Sequence, residues 1–171
     1  MNISAPVRNA IENDFLIDDR EVVARSLMVA TKLDDYLLDL KALVKSRFIR
    51  SDDDNKYQSK LHGLAWIATY VEALKQMSIW AEQLSKRGSF TKTERIILIL
   101  SFNEYLNQLF GGIMMSQNEI IRPTDLDDEQ LTLEKLNCKE VLFFKDEVNV
   151  CLLYTSPSPR DATLSRMPSS A

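Results

Sequence analysis

Lys86-Arg-Gly-Ser-Phe-Thr-Lys-Thr-Glu-Arg-Ile-Ile-Leu-Ile-Leu100 closes one helix and opens the next. Gly88 suits the left-handed residue that follows a helix, and Lys86 and Arg87 lie at that helix's negative end. Thr91 and Glu94 have capping-box spacing, with the apolar run Ile96–Leu100 immediately after. Helices joined by so short a link fold back antiparallel.

Working upstream, the helix ending near Lys86 starts after Ser51-Asp-Asp-Asp-Asn55, residues that prefer turns and N-caps. Tyr57, Leu61, Leu64, Ala68, Val71 and Leu74 form one apolar stripe along it, and Trp66, Tyr70, Ala73, Met77 and Trp80 a second beside it. Two adjoining stripes make a wide apolar face that contacts more than one neighbour. Further upstream, Val23, Leu27, Ala30, Leu33, Leu37, Leu40 and Val44 keep to one helical face. Asp18, Asp19 and Glu21 lie at its start and Lys41, Lys45 and Arg47 at its end, as the helix dipole favours. Downstream, the third helix runs through Phe102, Tyr105, Leu106 and Leu109 and stops at Gly111–Gly112. The hairpin register sets Ala68 level with Gly111 and Lys75 level with Glu104, and makes His62–Trp66 face a strand-less stretch, Ile113–Gln117.

The remaining segments are weaker. Ser4 to Leu16 holds a short helix, Ile113 to Pro123 has no clean period, a helix runs from Asp125 to Leu136, and Cys138 to Val148 suits one more. From about Cys151 the character changes: the run to Ala171 carries three of the five prolines and five serines. It resembles translated adaptor or vector sequence. The expected fold is all-α, an antiparallel helical bundle of three long helices plus shorter C-terminal helices with an irregular tail. The domain occupies 1–149, and 150–171 is a disordered, non-native tail.

The chain has 171 residues, 45 % hydrophobic and 27 % charged, which is ordinary for a soluble globular protein. Four glycines argue against a Gly-rich nucleotide loop or a turn-rich β fold. A net charge of −4 removes the broad basic footprint that nucleic-acid binding needs. Met1–Phe15 lacks the charge and apolar pattern of a leader, and Ile96–Leu100 is far shorter than the ~20 apolar residues that cross a bilayer. Cys138 and Cys151 do not make a disulfide framework. Cytoplasmic, with no nucleic-acid or membrane partner, is the expectation.

Several residues invite a chemical reading and favour a structural one. His62 is the single histidine, without a Ser or Cys nucleophile motif, and sits in the helical Leu61-His62-Gly63-Leu64. Glu72 and Glu104 on facing helices suggest half of a carboxylate-bridged di-metal site, but the Glu-x-x-His partners are missing and an ion pair such as Glu104 with Lys75 is the simpler role. Gly63 inside a helix costs ~1 kcal/mol against alanine and implies close approach of a neighbour. Asp52–Asp54 lacks the glycine and distal glutamate of a calcium loop. No catalytic, cofactor-binding or metal residue is therefore expected.

Three blocks are more distinctive: His62-Gly-Leu-Ala-Trp-Ile-Ala-Thr-Tyr-Val-Glu-Ala-Leu-Lys-Gln-Met77, Phe102-Asn-Glu-Tyr-Leu106 and Gly111-Gly-Ile-Met-Met-Ser-Gln-Asn-Glu-Ile-Ile-Arg-Pro123. In this order, over roughly residues 20–145, the chain resembles the amino-terminal helical extension of bacterial acyl-CoA dehydrogenases of the (2S)-methylsuccinyl-CoA dehydrogenase type, flavoenzymes of the ethylmalonyl-CoA pathway. Phe48–Lys60 is more acidic and less apolar than that pattern. The resemblance implies a fragment with no cofactor of its own. In the parent, FAD, the acyl-CoA pocket and the catalytic glutamate belong to a dehydrogenase body absent from these 171 residues. It also implies that Trp66, Tyr70, Met77 or Trp80 packs on the missing body or a second subunit. The alternative from the residues alone is a free-standing helical interaction module.

Overall fold

Helix α1, Asp19–Phe48, begins with Asp19 and Glu21 in its first turn. In the computed structural model, which describes residues 17–48, 54–126 and 135–146, it is followed by α2 (Asp54–Lys86) and α3 (Lys92–Gly111). A two-stranded hairpin then pairs β1 (Ile113–Ser116) with β2 (Glu119–Ile121), a 3-10 turn spans Pro123–Asp125, and α4 covers Lys139–Asp146. The molecule is mostly helical.

The α2–α3 boundary forms as its sequence dictates. Gly88 has φ +69°, and the Ser89 and Gly88 amides donate to Leu84 O (2.9 Å) and Ser85 O (3.1 Å), satisfying carbonyls the helix leaves open. Across the link, Thr93 N donates to Thr91 Oγ1 at 3.3 Å and Thr91 N to Glu94 Oε2 at 2.9 Å, which is the capping box. The long helices run back against one another. Ser78 Oγ on α2 lies 3.1 Å from Ser26 O on α1 and Lys75 reaches Asp34, so α1 rises as α2 descends. Tyr70 Oη donates to Gln108 Oε1 at 2.6 Å, setting α3 against α2 in the same sense.

The core on α1 contains the expected stripe, with Leu27 half-buried, and a second line beside it, Val22, Ser26, Val29 and Tyr36, all buried. On α2 the buried line is Gly63, Ile67, Val71, Leu74, Ser78 and Ala81. It shares Val71 and Leu74 with the first stripe read from the sequence and otherwise lies between the two, while Trp66, Tyr70, Ala73, Met77 and Trp80 are half-buried and Leu61 is exposed. α4 seals the core from the α3 side, with the Phe144 ring 4.6 Å from Phe102 and the Phe144 side chain fully buried.

Three expectations are corrected. The fold is not purely helical, because Ile113–Ile121 is an antiparallel hairpin with Ile113 opposite Ile121 and Met114 opposite Ile120. Strands of four and three residues are too short to display a period of two, and the polar turn Gln117–Asn118 was the available signal. Lys75 pairs with Asp34, not Glu104, because α1 presents a carboxylate to it. The helix expected from Asp125 to Leu136 differs at its start, a 3-10 turn where Asp125 Oδ2 accepts from Arg122 N at 2.7 Å, while residues 135–136 at its far end are helical. Most of that expected helix, the Ser4–Leu16 helix, Asp52–Asp53 and the tail 150–171 with Cys151 lie outside the described residues.

Candidate functional site

Gly63, in the third turn of α2, meets the hairpin. A Cβ on Gly63 would lie 2.5 Å from Ile121 Cγ1, so the close neighbour implied by this glycine is a buried isoleucine side chain. His62 is exposed, and its Nε2 accepts a 3.0 Å hydrogen bond from Trp66 Nε1, one turn along the helix. That bond uses the imidazole lone pair a metal or a substrate proton would need. Lys60 Nζ donates to Asp125 O at 2.7 Å and fastens the same end of α2 to the 3-10 turn.

Glu72 and Glu104 are each engaged within their own helix, where each accepts from a glutamine, Gln76 Nε2 at 2.7 Å and Gln108 Nε2 at 3.1 Å. Gln108 also receives the Tyr70 hydroxyl, making a relay Tyr70 to Gln108 to Glu104. Burial, and then the neighbouring Tyr105 and Glu104, hold the Tyr70 phenol above its ordinary value, so it remains the donor. Hydrogen bonding to Asp34, and that carboxylate's charge, likewise hold the Lys75 ammonium above its ordinary value. Among the described residues no group of three or more His, Cys, Asp or Glu side chains is placed to hold a metal. No helix of the described residues is long and apolar enough to cross a membrane.

The buried polar side chains were not singled out from sequence. Arg95, 7 % exposed, donates to Ile17 O (2.7 Å) and Asp19 Oδ1 (2.9 Å), tying the start of α3 to the start of α1. Its phase with Leu98, Ile99 and Phe102 marks the inward face and was the signal for it. Asn103 donates to Phe144 O (2.9 Å) and Lys145 O (2.8 Å), capping the end of α4. These are fold-making contacts.

The pyrophosphate of a dinucleotide such as FAD seeks free amides and positive potential at a helix start. α1 opens on Asp18, Asp19 and Glu21, and α3 opens on amides already engaged by Thr91, with the Glu94 carboxylate beside them. Neither of these two starts fits that group.

No family model matches the chain. Its similarity is to part of an acyl-CoA dehydrogenase. The relative is the (2S)-methylsuccinyl-CoA dehydrogenase of Cereibacter sphaeroides, 49 % identical over 72 residues, or 42 % of this chain. That match spans 13 % of the relative, a small part of its length, and is consistent with this chain being a fragment of such an enzyme.

Proposed function

We propose that this chain is the non-catalytic amino-terminal helical domain of an FAD-dependent acyl-CoA dehydrogenase of the methylsuccinyl-CoA type, with a structural and assembly role. The observation that carries the reading is 49 % identity confined to 13 % of the relative. In this reading the long helices form an antiparallel bundle onto which the hairpin and α4 are fastened, and residues 150–171 are foreign to it. The parent works in the cytoplasm. Its flavin accepts hydride from the acyl-CoA, and both are bound by the dehydrogenase body. The buried polar groups of this domain are spent on joining its own elements, which supports a scaffolding role.

The test is the genomic reading frame past Val150, followed by expression of what it encodes. The expected frame continues into a dehydrogenase body, and the full product purifies yellow and oxidises methylsuccinyl-CoA, while this chain alone is colourless and inert. A natural stop codon near Val150 refutes the reading in favour of a free-standing interaction module. Thioester turnover or retained flavin in this chain alone also refutes it.

A further inference from the structure

The two grooves between the long helices differ in charge. The groove between α1 and α2, about 500 Å³, mixes carboxylates with cations: Asp34, Asp35, Lys41 and Lys75 all line it. The groove between α2 and α3, about 290 Å³, is lined by Ala73, Leu74, Gln76, Met77, Ser101 and Tyr105. Small Ala73 and Ser101 leave the space, and Met77 and Tyr105 form its walls. The register that sets Tyr70 against Gln108 brings half-buried Trp80 level with Ile97, which is 44 % exposed, so the apolar strip continues along the groove.

Its borders are acidic. Glu72 and Glu104 are exposed and bonded to neutral glutamines. From 97 to 110, α3 has no Lys or Arg, and from 61 to 85 the single Lys or Arg of α2 is Lys75. The Lys75 ammonium is held by Asp34 on α1. An apolar channel between antiparallel helices, about two turns long, accepts a third helix by ridge-into-groove packing. Glutamates along its edges select lysine or arginine flanks on that helix. A second copy of the same face would set Glu72 and Glu104 against their own kind, which disfavours self-association there.

We infer that the α2–α3 groove is the seat of an apolar helix flanked by Lys and Arg, belonging to the dehydrogenase body that continues this polypeptide. This rests on the function proposed above and adds the surface and the chemistry of its occupant.

Methionine oxidation by dilute peroxide reads the surface directly, since sulfoxide formation follows exposure. This chain and the full-length product of the continued reading frame are compared, with Met77 in the groove and Met28, 47 % exposed on α1, as reporters. Met77 is expected to oxidise about five-fold or more slowly in the full-length protein than in this chain. Glu72→Lys with Glu104→Lys, both at exposed sites, should return Met77 towards its rate in this chain without changing Met28; Glu72→Gln with Glu104→Gln should do so in part. Equal Met77 rates in the two proteins overturn the inference while leaving the proposed function standing. So does Met77 protection indifferent to both charge variants. A dimer of this chain that protects Met77, seen by sedimentation, overturns the assigned occupant. A stop codon near Val150 removes the proposed function, and the assigned occupant with it.

Discussion

Alanine at position 63 changes sign depending on what faces it. Helix propensity alone makes Gly63→Ala stabilising by about 0.5–1 kcal/mol, because glycine loses the most backbone freedom on folding. The added Cβ, however, would lie 2.5 Å from Ile121 Cγ1, 2.8 Å from Cδ1 and 3.2 Å from Cβ. Ile121 is 4 % exposed and is held by its pairing with Ile113, so it has little room to retreat. Overpacking of this kind costs about 1–3 kcal/mol, leaving a net loss of about 1 kcal/mol. In an Ile121→Ala background, itself about 2–4 kcal/mol less stable, the two nearest atoms are gone and Gly63→Ala should stabilise by about 0.5–1 kcal/mol. The coupling between the sites is then about 2 kcal/mol. Urea unfolding of the four proteins by far-ultraviolet circular dichroism, at a common slope, measures it. If Gly63→Ala has the same effect in both backgrounds, the hairpin does not dock on α2 as described.

Three further outcomes follow from the caps. Hydrogen bonds from the Thr91 hydroxyl, and then from the Glu94 and Thr91 amides, hold the Glu94 carboxyl below its ordinary value. A depressed folded-state value contributes stability above the ordinary carboxylate range that is lost as pH falls through the depressed value, so the gap in Tm between wild type and Glu94→Gln should be widest near neutrality and close as pH drops below the ordinary carboxylate range. Asn103→Ala removes the donor from Phe144 O and Lys145 O and should cost about 1–3 kcal/mol in urea unfolding. Asn103→Asp should be worse than alanine at neutral pH, where it turns an acceptor on both carbonyls, and should recover partly in acid.

The helices were legible because their signals are local and redundant. Thr91 and Glu94 are three residues apart, Gly88 needs only its own φ, and the α1 stripe repeats over six turns. The hairpin was not, because seven strand residues supply little periodicity and its stability comes from Ile113 and Ile121 being buried against helices distant in sequence. The core line of α2 was located only in part, at Val71 and Leu74, for a related reason. Bulky Trp66, Tyr70 and Trp80 draw the eye to a flank, whereas Gly63, Ser78 and Ala81 mark the seam by being small enough to let other elements approach. The candidate groove lies on that flank, so its apolar residues were visible in sequence; its acidic border was not, since the expected partner of Glu104, Lys75, turns instead to Asp34 on α1.

The buried polar side chains complete the argument about specificity. Apolar stripes decide that two helices touch, but a stripe slid by one turn, about 5.4 Å, meets another apolar surface at modest cost. A donor buried opposite one carbonyl does not tolerate the slide, because it loses its partner where no water replaces it, at about 1–3 kcal/mol. Arg95 at Ile17 O and Asn103 at Phe144 O each join a different pair of segments, so they fix α3 on the start of α1 and α4 on α3, while Ser78 Oγ, which also reaches Leu74 O on its own helix at 3.0 Å, adds a weaker tie of α2 to α1. Each reads in sequence as a break in an apolar pattern, yet each sets a register the pattern alone leaves open. With those registers fixed, Tyr70 stays against Gln108, and Ala73, Met77, Ser101 and Tyr105 hold a groove of constant shape between helices that would otherwise slide it closed.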